Sequence, residues 1–242
     1  MNAGTLVKKP KKKRGSAGRN MHTRVKTAKG RKTSSTRWLQ RQLNDPYVAA
    51  AQAAGYRSRA AFKLTELNEK YGFLKKNMRV VDLGAAPGGW TQVIVAETGA
   101  ETPGSTAQIV ALDLLEMDPV PGAQILTMDF MDDEAPARLK TAMNGPADAV
   151  LSDMAPALTG HSNTDHLRIM AAVEAAYLFA KETLAPGGCF IAKVFQGGTE
   201  GDLLAAMKKD FQTVRHAKPP ASRVESSEVY VVATGFRGGQ EG

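Results

Sequence analysis

Short apolar runs alternate with helical stretches along the chain from residue 78 onward. The runs have the length and composition of strands, at residues 79–81, 108–112, 123–127, 147–152, 190–195, 211–215 and 229–234. Helical stretches such as 91–97 fit between most of them, and this rhythm favours a mostly parallel sheet covered on both faces. A polar loop rich in Pro and Ser, with no helix, joins the last two runs, which predicts that they pair antiparallel. We therefore predict an α/β protein with a Rossmann-like, seven-stranded sheet.

Two helical stretches precede the first strand. Residues 35–55 are interrupted at Asn44-Asp45-Pro46, where a proline ends one helix and starts another. Residues 58–71 show apolar side chains at helical spacing, and Ser58 is a candidate N-cap.

The basic charge is concentrated at the N-terminus. The net charge is +8, yet residues 1–44 hold 14 of the 32 Lys and Arg residues and no acid, which leaves 18 basic against 24 acidic residues in 45–242. We predict a basic, disordered arm over 1–34 and one folded domain over 35–242. Such an arm is attracted to a phosphate backbone by counterion release, which indicates a nucleic-acid partner. A solubility tail, a nuclear localisation signal and an organelle transit peptide remain alternatives.

No apolar run approaches the roughly 20 residues of a membrane helix, and the N-terminus lacks the hydrophobic core of a secretory signal. We expect a soluble monomer without membrane contact, located in the cytoplasm, or in a mitochondrion or nucleus if the source is eukaryotic. The single cysteine, Cys189, lies in an apolar run and is predicted to be a buried core residue. His161 and His166 lack further ligands at metal-site spacing, so we predict no metal.

A glycine-rich turn, DLGAAPGGW at residues 82–90, lies between a predicted strand and helix. Such turns bring backbone close to a nucleotide-like cofactor. Ala86 replaces the second glycine of the dinucleotide fingerprint, and S-adenosylmethionine, which has no phosphate, does not need that glycine. Asp113 and Asp129 follow the next two strands, which suits the ribose hydroxyls and the adenine edge respectively, although strand-end acids also act as simple caps.

Four polar residues are placed where strands end or begin. Lys193 interrupts an apolar strand, which is costly unless the amine is paired or reaches solvent. Asp153 follows one strand, Glu228 begins the last one, and Lys63 lies on the preceding helix. Each has an ordinary explanation as a surface or strand-end charge, so only their convergence would indicate a catalytic site.

Five segments of the chain carry a resemblance to one family. They are SRAAFKL at 58–64, DLGAAPGGW at 82–90, SDMAP at 152–156, KVFQG at 193–197 and SEVY at 227–230. In order and spacing they resemble the FtsJ/RrmJ family of heat-shock-associated ribosomal RNA 2′-O-ribose methyltransferases, over about residues 35–236.

The resemblance implies a class I methyltransferase fold, S-adenosylmethionine as methyl donor, and a uridine ribose in the A-loop of large-subunit (23S-type) ribosomal RNA as acceptor. It implies a catalytic tetrad of Lys63, Asp153, Lys193 and Glu228. It also implies a cofactor site lined by Gly84, Gly88, Trp90, Asp113, Asp129 and Asp153. The chain departs from the family pattern at Ala157, where bacterial members usually have Asn, in a segment at 101–106 that looks inserted, and in the length of the arm.

A ribose 2′-hydroxyl is a weak acid, so it must be deprotonated or strongly oriented. We predict that Lys193 is the general base, made less basic by burial and by Lys63, while Asp153 and Glu228 orient the two lysines. If the acids dominate, Lys193 stays an ammonium that orients the oxygen instead.

Candidate phosphate contacts are Arg57, Arg59, Lys75, Lys76, Arg215, Lys218 and Arg223. Three other functions remain open: methylation of tRNA or another RNA, a noncatalytic RNA-binding factor in ribosome assembly, and a nicotinamide-dependent dehydrogenase, which shares the fold but needs the missing glycine.

Overall fold

A computed structural model describes residues 39–40, 42–156, 162–195 and 201–238 of the 242-residue chain. The predicted arm at 1–34, Ala157 and His161 lie outside the described residues.

Strands and helices alternate as the apolar runs predict. The strands are β1 Arg79–Leu83, β2 Gln108–Asp113, β3 Gln124–Thr127, β4 Ala147–Ser152, β5 Leu184–Phe195, β6 Phe211–Ala217 and β7 Glu228–Phe236. The helices are α1 Pro46–Ala53, α2 Ala60–Tyr71, α3 Gly89–Thr98, α4 Ala135–Met143, α5 Ser162–Thr183 and α6 Gly201–Asp210. The largest difference from prediction is β5, which begins six residues before the predicted run at 190.

Helices α1 and α2 precede the sheet, and the residues at their N-termini show where each helix begins. At α1, Pro46 occupies the first turn, and the Asp45 carboxylate accepts a hydrogen bond from the Tyr47 amide at 3.0 Å. At α2, the prediction of Ser58 as N-cap is wrong by one residue. Arg59 is the N-cap, and no side chain caps this end, because the chain is already helical at Arg59.

The described strands form one sheet in the order β3-β2-β1-β4-β5-β7-β6. Strands β1 to β5 pair in parallel, and β7 lies antiparallel between β5 and β6. This confirms the mostly parallel sheet with an antiparallel last strand. Strand order reverses at β1, which lies between β2 and β4, and ligands of open α/β sheets bind at the carboxyl edge of such a point.

Alternate residues of the strands are buried on opposite faces. Val80, Ile191 and Val232 pack with α2 and α3 on one face. Their sequence neighbours Val81, Phe190 and Val231 pack with α4, α5 and α6 on the other. Burial on both faces explains the continuous apolar runs of the strands.

Candidate active site

Four of the predicted site residues meet at the carboxyl edge of the central strands. Asp153 directly follows β4, Lys193 lies two residues before the end of β5, and Glu228 begins the antiparallel β7 at the same edge. In the register of β5 and β7, Lys193 opposes Tyr230 and Phe195 opposes Glu228.

Contacts join these residues into one chain of polar groups. Lys63 Nζ lies 2.5 Å from Glu228 Oε1. The Tyr230 hydroxyl lies 2.8 Å from Asp153 Oδ1 and 3.3 Å from Glu228 Oε1, so it bridges the two carboxylates. Lys193 Nζ donates to the Asp153 carbonyl at 2.6 Å and lies 3.2 Å from Asp153 Oδ1. The structure therefore brings the two lysines and two acids together, through a tyrosine.

The cluster is shielded from solvent, which strengthens its charge interactions. Lys193 is 7% exposed and is the only buried lysine of the described residues. Burial alone would raise the pKa of the Glu228 carboxyl, but Lys63, Lys193 and the Ser222 hydroxyl outweigh burial and hold that pKa below its ordinary value. Glu228 is thus a carboxylate at neutral pH.

Tyr230 is a fifth member of the cluster that sequence reasoning missed. It is fully buried, and burial together with Asp153 and Glu228 raises the pKa of its phenol well above the ordinary value. The hydroxyl therefore keeps its proton and donates a hydrogen bond to a carboxylate. The signal was present in the sequence, because residues 228 and 230 of one strand project from the same face.

A cleft beside this cluster has the size and lining of a small-molecule site. Its volume is about 500 Å³, and it lies above the ends of β1, β2 and β3. Its walls combine carboxylates with apolar side chains: Gly84, Leu112, Asp113, Leu114, Asp129, Phe130, Met131, Met154, Ala155, Pro156, Arg168, Ala171 and Ala172. Three of the six predicted cofactor residues, Gly84, Asp113 and Asp129, lie in this wall.

Gly84 shapes the cleft through a close approach of two backbones. Its φ is +75°, and a Cβ at this position would lie 2.7 Å from both the nitrogen and the Cα of Met154. Only glycine fits here, because any side chain would push the segment after β4 away from β1. That segment carries Asp153, so the glycine also sets the distance between cleft and polar cluster.

Asp113 and Asp129 also have structural partners. The Asp113 carboxylate accepts from the Ala86 amide and the Leu115 amide, both at 2.8 Å. The Asp129 carboxylate accepts from the Met131 amide at 2.9 Å. Because a carboxylate has about four lone-pair positions, both acids retain acceptor capacity towards the cleft.

Gly88 and Trp90 belong to the same turn but face away from the cleft lining. A Cβ on Gly88, whose φ is +104°, would lie 2.8 Å from Arg57 Nη1. The Trp90 side chain is 2% exposed, packs at 5.6 Å from the Tyr230 ring and donates to the Ala60 carbonyl at 2.9 Å. The Trp90 ring therefore supports the polar cluster, which leaves only the Trp90 backbone to contact a bound cofactor.

Asp82 is a fully buried acid that the sequence did not single out. Its Oδ2 accepts from the Thr91 hydroxyl at 2.7 Å, whereas its Oδ1 has no partner among the described residues. Complete burial raises the pKa of this carboxyl to about 7; the Thr91 hydrogen bond opposes that shift, and Asp153 and Asp113 add to it. A group that changes charge near neutral pH thus lies at the start of the glycine-rich turn.

The candidate phosphate contacts divide into distinct groups. Arg59 and Arg223 line a cavity of about 290 Å³ next to Lys63 and Glu228. Arg215 has an exposed side chain on β6. Lys75 and Lys76 line a cavity with Met78, which precedes β1, and with Asp148 and Gly188, which lie in the first halves of β4 and β5. They lie at the edge of the sheet opposite the cleft, away from its mouth, and their role as phosphate contacts stays a prediction.

Arg57 and Lys218, like Arg59 and Arg223 with Asp45, have partners within the protein. Arg57 donates to the carbonyls of Pro87 at 3.2 Å, Asp118 at 2.6 Å and Pro119 at 2.7 Å. It thereby joins the glycine-rich turn to the loop after β2. Lys218 donates to two carbonyls of its own loop.

Comparison with known proteins decides the family. The sequence model of the FtsJ-like methyltransferases matches residues 56–236. The chain belongs to the FtsJ-like methyltransferase family. It is therefore a methyltransferase, and the dehydrogenase alternative is wrong.

The chain is similar to curated bacterial proteins along nearly its whole length. It is 63% identical to the Ribosomal RNA large subunit methyltransferase E of Paramagnetospirillum magneticum, over 92% of this chain and 91% of that protein. Its identity to the protein of that name in Rhodospirillum rubrum is 61%, over 93% and 86%. Among solved structures, it is similar to a chain described as a ribosomal RNA methyltransferase of Plasmodium falciparum, with a TM-score of 0.66 and 33% identity, over 76% of this chain and 100% of that one.

Within the described ranges, no helix has the length and apolarity needed to cross a membrane.

Proposed function

We propose that this methyltransferase transfers a methyl group from S-adenosylmethionine to the 2′-hydroxyl of a uridine in large-subunit ribosomal RNA, in the A-loop of assembled subunits. The observation that carries the proposal is the continuous chain from Lys63 through Glu228, Tyr230 and Asp153 to Lys193, next to the cleft. The names of the bacterial relatives support ribosomal RNA as the acceptor. Because those relatives are bacterial, we propose a cytoplasmic location.

The cleft fits the donor in size and chemistry. Asp113 and Asp129 supply carboxylates with spare acceptor capacity, and Met131, Met154 and Phe130 supply apolar walls. S-adenosylmethionine bound there would supply a methyl group on a positively charged sulfonium, which makes the carbon a good electrophile. Asp153 directly follows β4 and contacts Lys193, so its carboxylate would lie near the charge of a donor bound in the cleft.

The chain's own residues act mainly by positioning the acceptor. Lys193 Nζ donates to the Asp153 carbonyl and lies beside the Asp153 carboxylate, so in the structure it acts as a hydrogen-bond donor. It orients the ribose oxygen in this form. To act as general base, its nitrogen must instead accept the proton of the hydroxyl, which requires that the Asp153 contact is released when RNA enters.

The pH profile of single-turnover methylation separates the two roles. If Lys193 is a base, the rate rises with pH, and that basic limb is absent in Lys193→Ala. Lys193→Arg is then also inactive, because a guanidinium cannot deprotonate a hydroxyl. A Lys193→Arg variant with substantial activity would leave only the orienting role.

The acceptor is tested by offering large subunits from cells lacking this enzyme, protein-free ribosomal RNA and tRNA, each with labelled donor. We expect incorporation into subunits at one ribose, mapped by its resistance to alkaline cleavage. Incorporation into tRNA alone would establish the alternative RNA substrate. If wild type incorporates no more label than Lys193→Ala and a reaction without enzyme, the protein is a noncatalytic assembly factor.

We propose that the basic arm strengthens RNA binding without regard to sequence. Deletion of residues 1–34 should weaken binding and flatten its dependence on salt, while single-turnover chemistry with saturating RNA stays unchanged. An unchanged salt slope would assign the arm to solubility or addressing.

A further inference from the structure

The loop between β6 and β7, residues 218–227, is held firmly although it has no regular structure. The Lys218 ammonium reaches across it and donates to the carbonyls of Val224 at 3.1 Å and Ser226 at 2.6 Å. Because one lysine side chain binds two carbonyls of the same loop, these hydrogen bonds fix the backbone around Val224. We call this segment the β6–β7 loop.

The base of the loop is anchored to the helices and to the polar cluster. The Ala221 amide donates to the Glu66 carboxylate of α2 at 2.6 Å, and its carbonyl accepts from Arg59. The Ser222 hydroxyl donates to Glu228 at 3.2 Å. The position of the loop is therefore coupled to the same carboxylate that contacts Lys63.

The tip of this anchored loop presents an apolar side chain to solvent. Val224 is 92% exposed, the highest value among the large apolar side chains of the described residues. Its neighbours Arg223 and Glu225 line the 290 Å³ cavity that also contains Lys63 and Glu228. Because Val224 stays in contact with water, its side chain adds no hydrophobic stabilisation to the folded protein.

We propose that Val224 packs against a nucleobase adjacent to the acceptor nucleotide and so holds the RNA strand splayed over the cluster. RNA is recognised in single-stranded segments whose bases are unstacked against protein side chains, and apolar side chains inserted at base steps keep bases apart. Arg59 and Arg223 line the same cavity; each is paired with Asp45, at 2.8 and 3.4 Å, and the Arg223 side chain, 27% exposed, is the one placed to contact a phosphate next to such a base. The inference rests on the proposed function and names one contact of its substrate.

The first test is a comparison of Val224→Ser with Leu178→Ser. Leu178 is 52% exposed on α5, against the other face of the sheet, and serves as the matched control. With large subunits as substrate, we expect Val224→Ser to raise KM about five- to tenfold, as for partial burial of a valine. Donor affinity, measured by calorimetry, and the thermal midpoint should match wild type. Val224→Phe, with more apolar surface, should have a KM equal to or below that of wild type.

The kind of contact is tested by salt and by an abasic site. Binding is measured by anisotropy with a protein-free RNA hairpin containing the mapped acceptor. Val224→Ser should weaken binding without changing the salt slope, whereas Arg223→Gln should reduce that slope by about 0.7. If the base is removed from the nucleotide next to the acceptor, the affinity of wild type for the hairpin should fall by the same factor as the Val224→Ser change causes. The affinity of Val224→Ser should then fall no further.

Three results overturn the inference. They are an unchanged KM in Val224→Ser, a loss of affinity that persists when the bases on both sides are removed, and an effect seen with subunits but not with the protein-free hairpin. The last would assign Val224 to a protein partner. Failure of the proposed function looks different, because wild type itself would then incorporate no methyl group into ribosomal RNA.

Discussion

The buried carboxyl of Asp82 gives the structure a measurable pH signature. Its pKa is raised from 3.8 to about 7, mainly by burial. A difference of this size corresponds to a penalty of about 4 kcal/mol on the charged form. Because the folded protein holds the proton more tightly than the unfolded chain, the neutral form stabilises the fold at low pH. That contribution is complete below about pH 4 and is lost as pH rises through 7.

The change Asp82→Asn removes the titration while keeping the shape and the acceptor for Thr91. The new amide nitrogen has no acceptor, which costs about 1–3 kcal/mol at every pH. The informative quantity is therefore the change with pH. Between pH 5 and pH 8, wild type should lose about 2–3 kcal/mol more unfolding free energy than Asp82→Asn.

Urea unfolding of both proteins across that range, without donor, measures this difference. Asp132→Asn is the matched control, since Asp132 is exposed and should follow wild type. Parallel curves for wild type and Asp82→Asn would refute the reasoning, because Asp82 would then titrate alike in the folded and unfolded states.

Three further changes test the site. Tyr230→Phe removes the hydroxyl that bridges Asp153 and Glu228, so we expect kcat to fall about tenfold, with circular dichroism unchanged, as for the loss of one charge-assisted hydrogen bond; a wild-type kcat would contradict this. Gly84→Ala places a methyl group against the Met154 backbone and should weaken donor binding in calorimetry more than tenfold, whereas Gly187→Ala, also at positive φ but with nothing within 4 Å, should bind donor normally. Arg57→Met releases three loop carbonyls and should lower donor affinity without altering the salt slope of RNA binding; a changed slope would restore Arg57 as a phosphate contact.

Several features of this protein followed from sequence because they depend on local pattern. The apolar runs located every strand to within a few residues, apart from the start of β5, since burial on both sheet faces leaves few polar positions in a strand. Gly84, Asp113 at the end of β2 and Asp129 after β3 were placed at the cleft because the carboxyl ends of parallel strands share one edge. Lys193 stood out because an amine inside an apolar strand needs a partner.

Other features were decided only when the strands took their places. The position of β7 between β5 and β6 sets Tyr230 opposite Lys193 and brings Glu228 to Lys63, and no local pattern encodes that neighbour relation. Strand direction places Lys75 and Lys76 at the edge away from the cluster. The loop conformations bring Arg57 and Lys218 into hydrogen bonds with backbone carbonyls. The pattern of apolar runs thus determined which residues lie at the end of a strand. Packing determined their partners, because contacts between distant segments depend on strand order, direction and register.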